Sequence, residues 1–312
     1  MSTTISIDDV QKVPRREATA HKGDSGRVAI IAGSRGMSGA AVLCGLGALR
    51  GGAGLVRVIC PAEIQATVAA SEPCLMTVPI SDDEAGVPGM FDKLQPLLSW
   101  ASAVAFGPGL GLERLTLNNY STVMQECEAP LVLDADGLNV LAEIPEWVEA
   151  GPTSASRCWW KFREGAPTVI TPHPGEMARL RKALRLPERE LVKDDERVEV
   201  ATEYAGLSNS IVVLKGHHTV VTDGSRVYVN QTGNSGMATG GMGDVLTGLI
   251  AALIGQGLPP FDAACLGVYV HGKAGDLAAE RIGPVGFLAR EVADLIPAAL
   301  AVANLPRIGF HS

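Results

Sequence analysis

Thr232-Gly233-Asn234-Ser235-Gly236-Met237-Ala238-Thr239-Gly240-Gly241-Met242-Gly243-Asp244 runs directly into Val245-Leu246-Thr247-Gly248-Leu249-Ile250-Ala251-Ala252-Leu253-Ile254. In the second stretch Leu246, Leu249, Ile250, Leu253 and Ile254 recur at the spacing of one helical face, so a buried helix is expected, its amino terminus anchored in the core. The glycines ahead of it free backbone amides to converge on an anion, and the helix dipole adds partial positive charge. That is an anion hole, though without the GxxxxGK[ST] spacing of a P-loop. Asp244 at such a helix start could be a cap or dipole partner, contributing about 1 kcal/mol or less. Beside a phosphate it is also placed to take a proton from an attacking hydroxyl.

Upstream, short β-branched runs alternate with Ala/Gly/Leu-rich helical stretches, the pattern of a parallel sheet with crossover helices. Strands are expected at Arg27 to Ile31, Leu55 to Cys60, Ala103 to Phe106, Leu131 to Leu133, Thr168 to Ile170 and Ile211 to Leu214. Thr219 to Thr222 and Arg226 to Asn230 flank Asp223-Gly224, a strong hairpin signal that predicts an antiparallel edge. No linker or internal repeat interrupts the order, so residues 21–312 are expected as a single domain behind a polar arm at residues 1–20. Glu149 to Pro167, with Trp159, Trp160, Lys161 and Arg163, reads as a loop insertion that either anchors a subunit contact or packs on the parent domain.

Thirty-six glycines in 312 residues, with only 4% aromatics, suggest closely packed helices and several turns where backbone approaches a ligand. The net charge of -8 supplies no basic field, so nucleic acid is not an expected partner. Six scattered cysteines lack CxxC spacing and read as reduced thiols. The first twenty residues have no apolar signal core and no eighteen apolar residues run together, so neither secretion nor membrane insertion is expected, and a cytoplasmic location is.

Five further turns fall at strand ends, where open α/β sheets bind ligands. Gly33-Ser34-Arg35-Gly36-Met37-Ser38-Gly39-Ala40-Ala41 opens a helix without the dinucleotide GxGxxG spacing, and reads as a ligand turn or as a plain packing turn. Phe106-Gly107-Pro108-Gly109-Leu110-Gly111 is suited to close backbone contact. In Leu133-Asp134-Ala135-Asp136 the two carboxylates could share a face toward a cation or ribose, or one could cap the next helix. Thr171-Pro172-His173-Pro174-Gly175-Glu176 holds His173 in a stiff turn, favouring a ligand role. In Lys215-Gly216-His217-His218-Thr219 adjacent histidines of an extended chain point apart, which disfavours a metal site and leaves nucleotide contacts through Lys215 and Thr219.

With these motifs in order, joined by His21-Lys22-Gly23-Asp24 and Val268-Tyr269-Val270-His271-Gly272-Lys273-Ala274-Gly275-Asp276, the chain resembles the ribokinase-like superfamily, and within it the ADP- or ATP-dependent NAD(P)H-hydrate dehydratases. The resemblance covers nearly the whole chain. It implies a three-layer α/β sandwich with a mostly parallel central sheet, helices on both faces and an antiparallel edge hairpin. It also implies a hydro-lyase for metabolite repair, in which a nucleotide's terminal phosphoryl group passes to the C6 hydroxyl of the hydrated cofactors NADHX or NADPHX. Phosphate then leaves, restoring NADH or NADPH. By resemblance Asp244 is the base, with Gly241 and Gly243 in the phosphate cradle. Ala40, Ala41, Gly109, His173 and Asp244 contact the hydrate. Lys215, Gly216, His217, His218, Thr219 and Gly243 contact ADP or ATP, and Glu176 serves Mg2+ through water. His173 stands where wider relatives carry Asn, and Met242 where a smaller residue is expected. A homotetramer is the family's expected assembly, and the length leaves no room for the epimerase domain of bifunctional relatives. The alternative is a small-molecule kinase of the same fold acting on a vitamin precursor's alcohol. A nicotinamide-dependent oxidoreductase is disfavoured for want of its fingerprint, and a nucleotide-sensing module would have no need of Asp244.

Overall fold

Alternation along the central strand Arg27–Ile31 sets the architecture, because both of its faces are buried: Val28 and Ile30 enter one apolar cluster, Ala29 and Ile31 the other. The computed structural model describes residues 2–80, 89–111, 123–124, 126–143, 163, 165–191 and 193–303. Among these, ten strands form one sheet: β1 (Thr3–Thr4), β2 (Arg27–Ile31), β3 (Leu55–Pro61), β4 (Met76–Ile80), β5 (Ala103–Phe106), β6 (Leu131–Leu133), β7 (Thr168–Ile170), β8 (Ile211–Leu214), β9 (Val220–Thr222) and β10 (Arg226–Val229). Their spatial order is β1-β10-β9-β8-β7-β6-β5-β2-β3-β4, and β9 alone runs antiparallel to both its neighbours.

One face carries α1 (Ser38–Arg50), α2 (Ala62–Ser71), α7 (Met242–Gly255), α8 (Pro260–Arg281) and α9 (Ala289–Ala303). The other carries α3 (Gly89–Trp100), α4 (Asp136–Glu143), α5 (Pro174–Ala183) and α6 (Asp194–Ser208). This is the expected three-layer sandwich. The small-residue composition is used where α1 meets α7: a β-carbon at Gly47 would collide with the Val245 carbonyl, and one at Gly248 with the Cys44 carbonyl. The two helices therefore touch backbone to backbone.

Two strands lie outside the expected set. β4 contains Pro79 and is only partly buried, as suits an edge, and β1 is two polar residues long. Residues 1–20, expected as a polar arm, begin with that strand, paired parallel to β10 at Thr3↔Arg226, and bury Ile7 and Val10 in the α1/α7 cluster. The hairpin thus has β1 beyond it. Most of the Glu149 to Pro167 insertion, Trp159 and Trp160 included, lies outside the described residues. Arg163 near its end is buried and donates to the carbonyls of Cys127 and Ala129.

Chain direction places the ligand edge. From β2 the chain moves to β3 and β4 on one side, then returns to β5 on the other, so the turns leaving β2 and β5 diverge at the carboxyl edge. A crevice opens at such a switch point.

Candidate active site

α7 begins with its amides unclaimed. Its N-cap is Gly241, at φ 90° and with no side chain to cap the first turn, and a β-carbon there would meet Leu43 and lie 3.1 Å from Ala289. The helix-start amides keep their hydrogen-bonding capacity for a ligand, and the dipole selects an anion. Asp244 follows in the first turn, and no hydrogen bond to its carboxylate is made among the described residues. Burial, reinforced by the charge of Asp134, pushes its carboxyl up to about 7, with Lys215 opposing and Asp136 adding. A carboxyl titrating near neutrality is suited to take and return a proton.

Asp134 is the opposite case. It is buried, its Oδ1 lies 2.5 Å from Lys215 Nζ, and its Oδ2 accepts from Thr247 Oγ1 at 2.7 Å. Ala135, at φ 50°, ends the extended chain, so Asp136 faces another group: its carboxylate accepts from the Gly111 amide at 2.8 Å and from Asn139 Nδ2 at 3.1 Å. The two carboxylates serve these partners and not the amides of α4.

Lys215 was expected at the nucleotide, and besides lining a cavity it has its charge paired inside the protein. Burial depresses its pKa, yet Asp134 and Glu176, the latter 3.8 Å away, outweigh burial and raise it. It reaches a ligand as part of a neutralised pair.

His173 is the N-cap of α5. Its Nδ1 accepts from the amides of Gly175 at 3.0 Å and Glu176 at 3.3 Å, while Glu176 Oε2 accepts the His173 amide at 2.7 Å. This is a capping box with imidazole in the usual Ser/Thr place, and it leaves the ring half-exposed at the ligand edge. Glu176 is buried, which raises its pKa against the pull of Lys215.

A cavity of about 470 Å³ is lined by Lys215, Gly216, His217, His218, Thr219 and Gly243, so the whole expected nucleotide set meets at one place. That volume is in the range of small-ligand sites. Met242 is buried and forms an apolar wall with Leu246 and Val268. Reading the sequence did not find Thr232, Asn234 or His271 as lining residues. His271 is buried, its Nε2 has no partner among the described residues, and burial with Lys215 nearby holds its pKa down to about 4. Its ring is therefore a neutral polar wall.

The crevice at the switch point is built from backbone. The Gly33 amide donates to the Pro108 carbonyl at 2.8 Å, and Ser34 Oγ to the Gly109 carbonyl at 2.8 Å. Gly109 has φ 62°, and a β-carbon there would lie 2.8 Å from Ala40 Cβ. Ala40 is partly exposed beside it, whereas Ala41, one residue further round the helix, is fully buried under Gly33. Of the two expected alanines only Ala40 is open to a ligand, since successive helical side chains point in different directions.

A family profile described as NAD(P)H-hydrate dehydratase matches residues 28–298. The bifunctional NAD(P)H-hydrate repair enzyme Nnr of Moorella thermoacetica is 40% identical over 291 residues, covering 92% of this chain and 51% of its own. The chain spans about half the length of the curated relatives it matches. Among solved structures, a ribokinase-like superfamily protein from Enterococcus faecalis superposes with a TM-score of 0.75 at 25% identity, covering 98% of this chain and 97% of that one. The ADP/ATP-dependent NAD(P)H-hydrate dehydratase from Bacillus subtilis, co-crystallised with ATP/Mg2+, gives 0.73 at 28% identity, covering 96% of each chain. With the profile spanning most of the chain, and a sandwich that puts an uncapped helix start beside the buried carboxyl of Asp244, the protein belongs to the NAD(P)H-hydrate dehydratase family.

Proposed function

We propose that the chain is an ADP- or ATP-dependent dehydratase that returns hydrated NADH or NADPH to the reduced cofactor. The observation that carries this reading is the placement of Asp244. It follows Gly243, which lines the 470 Å³ cavity, and it feels the charge of Asp136, whose carboxylate holds Gly111 in the crevice turn. An adenine nucleotide in the cavity would set its terminal phosphate at the amides of α7. The hydrated nicotinamide ring would lie in the crevice against Ala40 and Gly109, with the half-exposed His173 at its edge.

In this arrangement Asp244 removes the proton of the ring's C6 hydroxyl as that oxygen attacks the terminal phosphorus. The bond from phosphorus to the nucleotide's bridging oxygen breaks, and the shorter nucleotide leaves. The ring's C6–O bond then breaks with the electron pair going to the departing phosphate, while the neighbouring ring carbon loses a proton and the ring double bond re-forms. The same Asp244 would serve an alcohol kinase, whose phosphorylated product would depart intact. Nothing in the geometry favours that outcome, and the family does not.

No three His, Cys, Asp or Glu side chains among the described residues are grouped to cage a metal. Asp134 and Glu176, both turned to Lys215, fit instead an outer role toward a cation that arrives on the nucleotide phosphates and keeps its waters. Bound there, Mg2+ would neutralise charge on the transferred phosphoryl group. The test is purified protein with hydrated NADH, Mg2+ and either ADP or ATP, following the return of the reduced nicotinamide absorbance. Absence of recovery with both nucleotides sinks the proposal.

A further inference from the structure

The loop Lys215–Thr219 belongs to the cavity wall, yet what holds it comes from another element. Arg197, in the first turns of α6, is 5% exposed. Its Nη2 donates to the carbonyls of Leu214 at 3.1 Å and Lys215 at 3.2 Å, and its Nη1 donates to the carbonyl of His217. One residue type could do this: a planar fork with several fixed donors, which lysine lacks. Gly216 completes the fit, because a β-carbon there would lie 2.8 Å from Arg197 Nη2. Three residues earlier on the same helix, Asp194 Oδ2 meets His218 Nδ1 at 2.7 Å. Two side chains of one helix start therefore grip the loop at its carbonyls and at a ring.

The grip decides which backbone groups remain for a ligand. In a trans peptide the C=O and the following N–H point in opposite directions, so the His217 carbonyl turned to Arg197 sends the His218 amide the other way. The Lys215 amide donates to the Pro172 carbonyl and the Gly216 amide to Thr219 Oγ1. Those of His217 and His218 donate to no group among the described residues. His218 stands at φ 53°, and successive amides around a left-handed residue form an anion-binding nest. We propose that Arg197 is a positioning residue for the nucleotide: by holding the His217 carbonyl on the far side of the loop, with those of Leu214 and Lys215, it keeps the His218 amide turned toward the nucleotide's polar groups. This rests on the cavity being the nucleotide site.

The test compares wild type, Arg197→Met and Arg197→Lys by equilibrium binding of ADP and ATP without hydrate, and by steady-state KM for nucleotide and for hydrate separately. Arg197→Met is expected to raise nucleotide Kd and KM at least about tenfold, with kcat within about threefold and hydrate KM unchanged. Added guanidinium ion should restore part of the nucleotide affinity, and Arg197→Lys should fall between the two. Nucleotide KM unchanged in a folded variant, or hydrate KM and kcat worsening as much as nucleotide KM, overturns the assignment. If Arg197→Met does not fold, Arg197→Lys decides by the same criteria. Wild type that binds neither nucleotide overturns the functional reading and this inference together; wild type that binds while Arg197→Met binds equally well overturns this inference alone.

Discussion

The switch-point crevice and the cavity beside the hairpin are both glycine-rich ligand sites, but they are held by different forces. In the crevice the turn after β2 meets the turn after β5 directly, the Gly33 amide and Ser34 Oγ donating to its carbonyls, with Gly109 so close to Ala40 that a methyl group would not fit and the Gly111 amide held by Asp136. In the cavity, charged side chains sent in from helices hold the loops. Arg197 fixes the carbonyls of one wall. Asp276 of α8 accepts from the Gly233 amide at 3.2 Å and from Asn234 Nδ2 at 3.1 Å on the other. Direct loop-to-loop contact sets the shape of the first region, and side chains reaching in from helices set that of the second, so single substitutions can alter the two separately. Under the proposed function the hydrated ring would meet the first region and ADP or ATP the second.

If the two regions meet at Asp244, removing its charge should disable turnover while leaving both sites able to bind. Asp244→Asn is expected to lower kcat on the order of 10⁴-fold, with nucleotide Kd within about twofold by calorimetry; a matching loss of binding would place Asp244 in the cavity wall instead. For wild type, kcat/KM should fall as pH drops through about 7, where Asp244 of the free protein takes up its proton. Stability runs the other way. From about pH 4, the ordinary carboxyl value, up to about pH 7 the folded chain retains a proton that the unfolded chain has lost, so rising pH destabilises the fold through this group. Asp244→Asn should therefore melt above wild type at pH 8, and the gap should close toward pH 4.

The next effect is structural and belongs to neither site alone. Lys215→Met leaves Asp134 and Glu176 buried without their cation, a change expected to cost roughly 3–4 kcal/mol in urea unfolding. Asp134→Asn added to it should recover part of the loss, and no recovery would show that the pair is not the cause. A smaller change separates the two regions. Gly109→Ala forces a side chain into a left-handed backbone and against Ala40, at about 1–3 kcal/mol, and should raise hydrate KM with nucleotide KM unchanged. Smallest is Asp276→Ala, which frees the Thr232–Asn234 wall. About 1 kcal/mol of lost hydrogen bonding should appear as a severalfold rise in nucleotide KM and none in hydrate KM. Equal shifts in both constants would mean that the crevice and cavity deform as one.

The strands of the sheet centre were legible because their signals are local. Arg27–Ile31, Ala103–Phe106, Leu131–Leu133, Thr168–Ile170 and Ile211–Leu214 each show an apolar run closed by a turn, and each forms as read. β4 was hidden by Pro79 and partial exposure, and β1 by its length of two polar residues, both being strands that pairing creates and composition does not. In the site, the glycine run before Asp244 announced an open helix start, found with Gly241 as an N-cap that has no capping side chain, because helix periodicity and glycine spacing lie in one continuous stretch. The partners of its charged groups did not declare themselves. Lys215 meets Asp134 across 81 positions and Arg197 reaches a loop some twenty residues on, contacts that only the folded sheet brings about. His173 was legible as important and not as a cap, since imidazole is not among the residues that usually close a capping box.

The backbone contact between α1 and α7 has a kinetic meaning. α1 carries Ala40 of the crevice and α7 carries the anion hole, and where Gly47 and Gly248 let the helices touch there is no side chain to slide or rearrange. Under the proposed function, the spacing between acceptor and phosphoryl donor would thus be set when the chain folds, with no hinge between these two helices. Little encounter entropy is left for the reacting step.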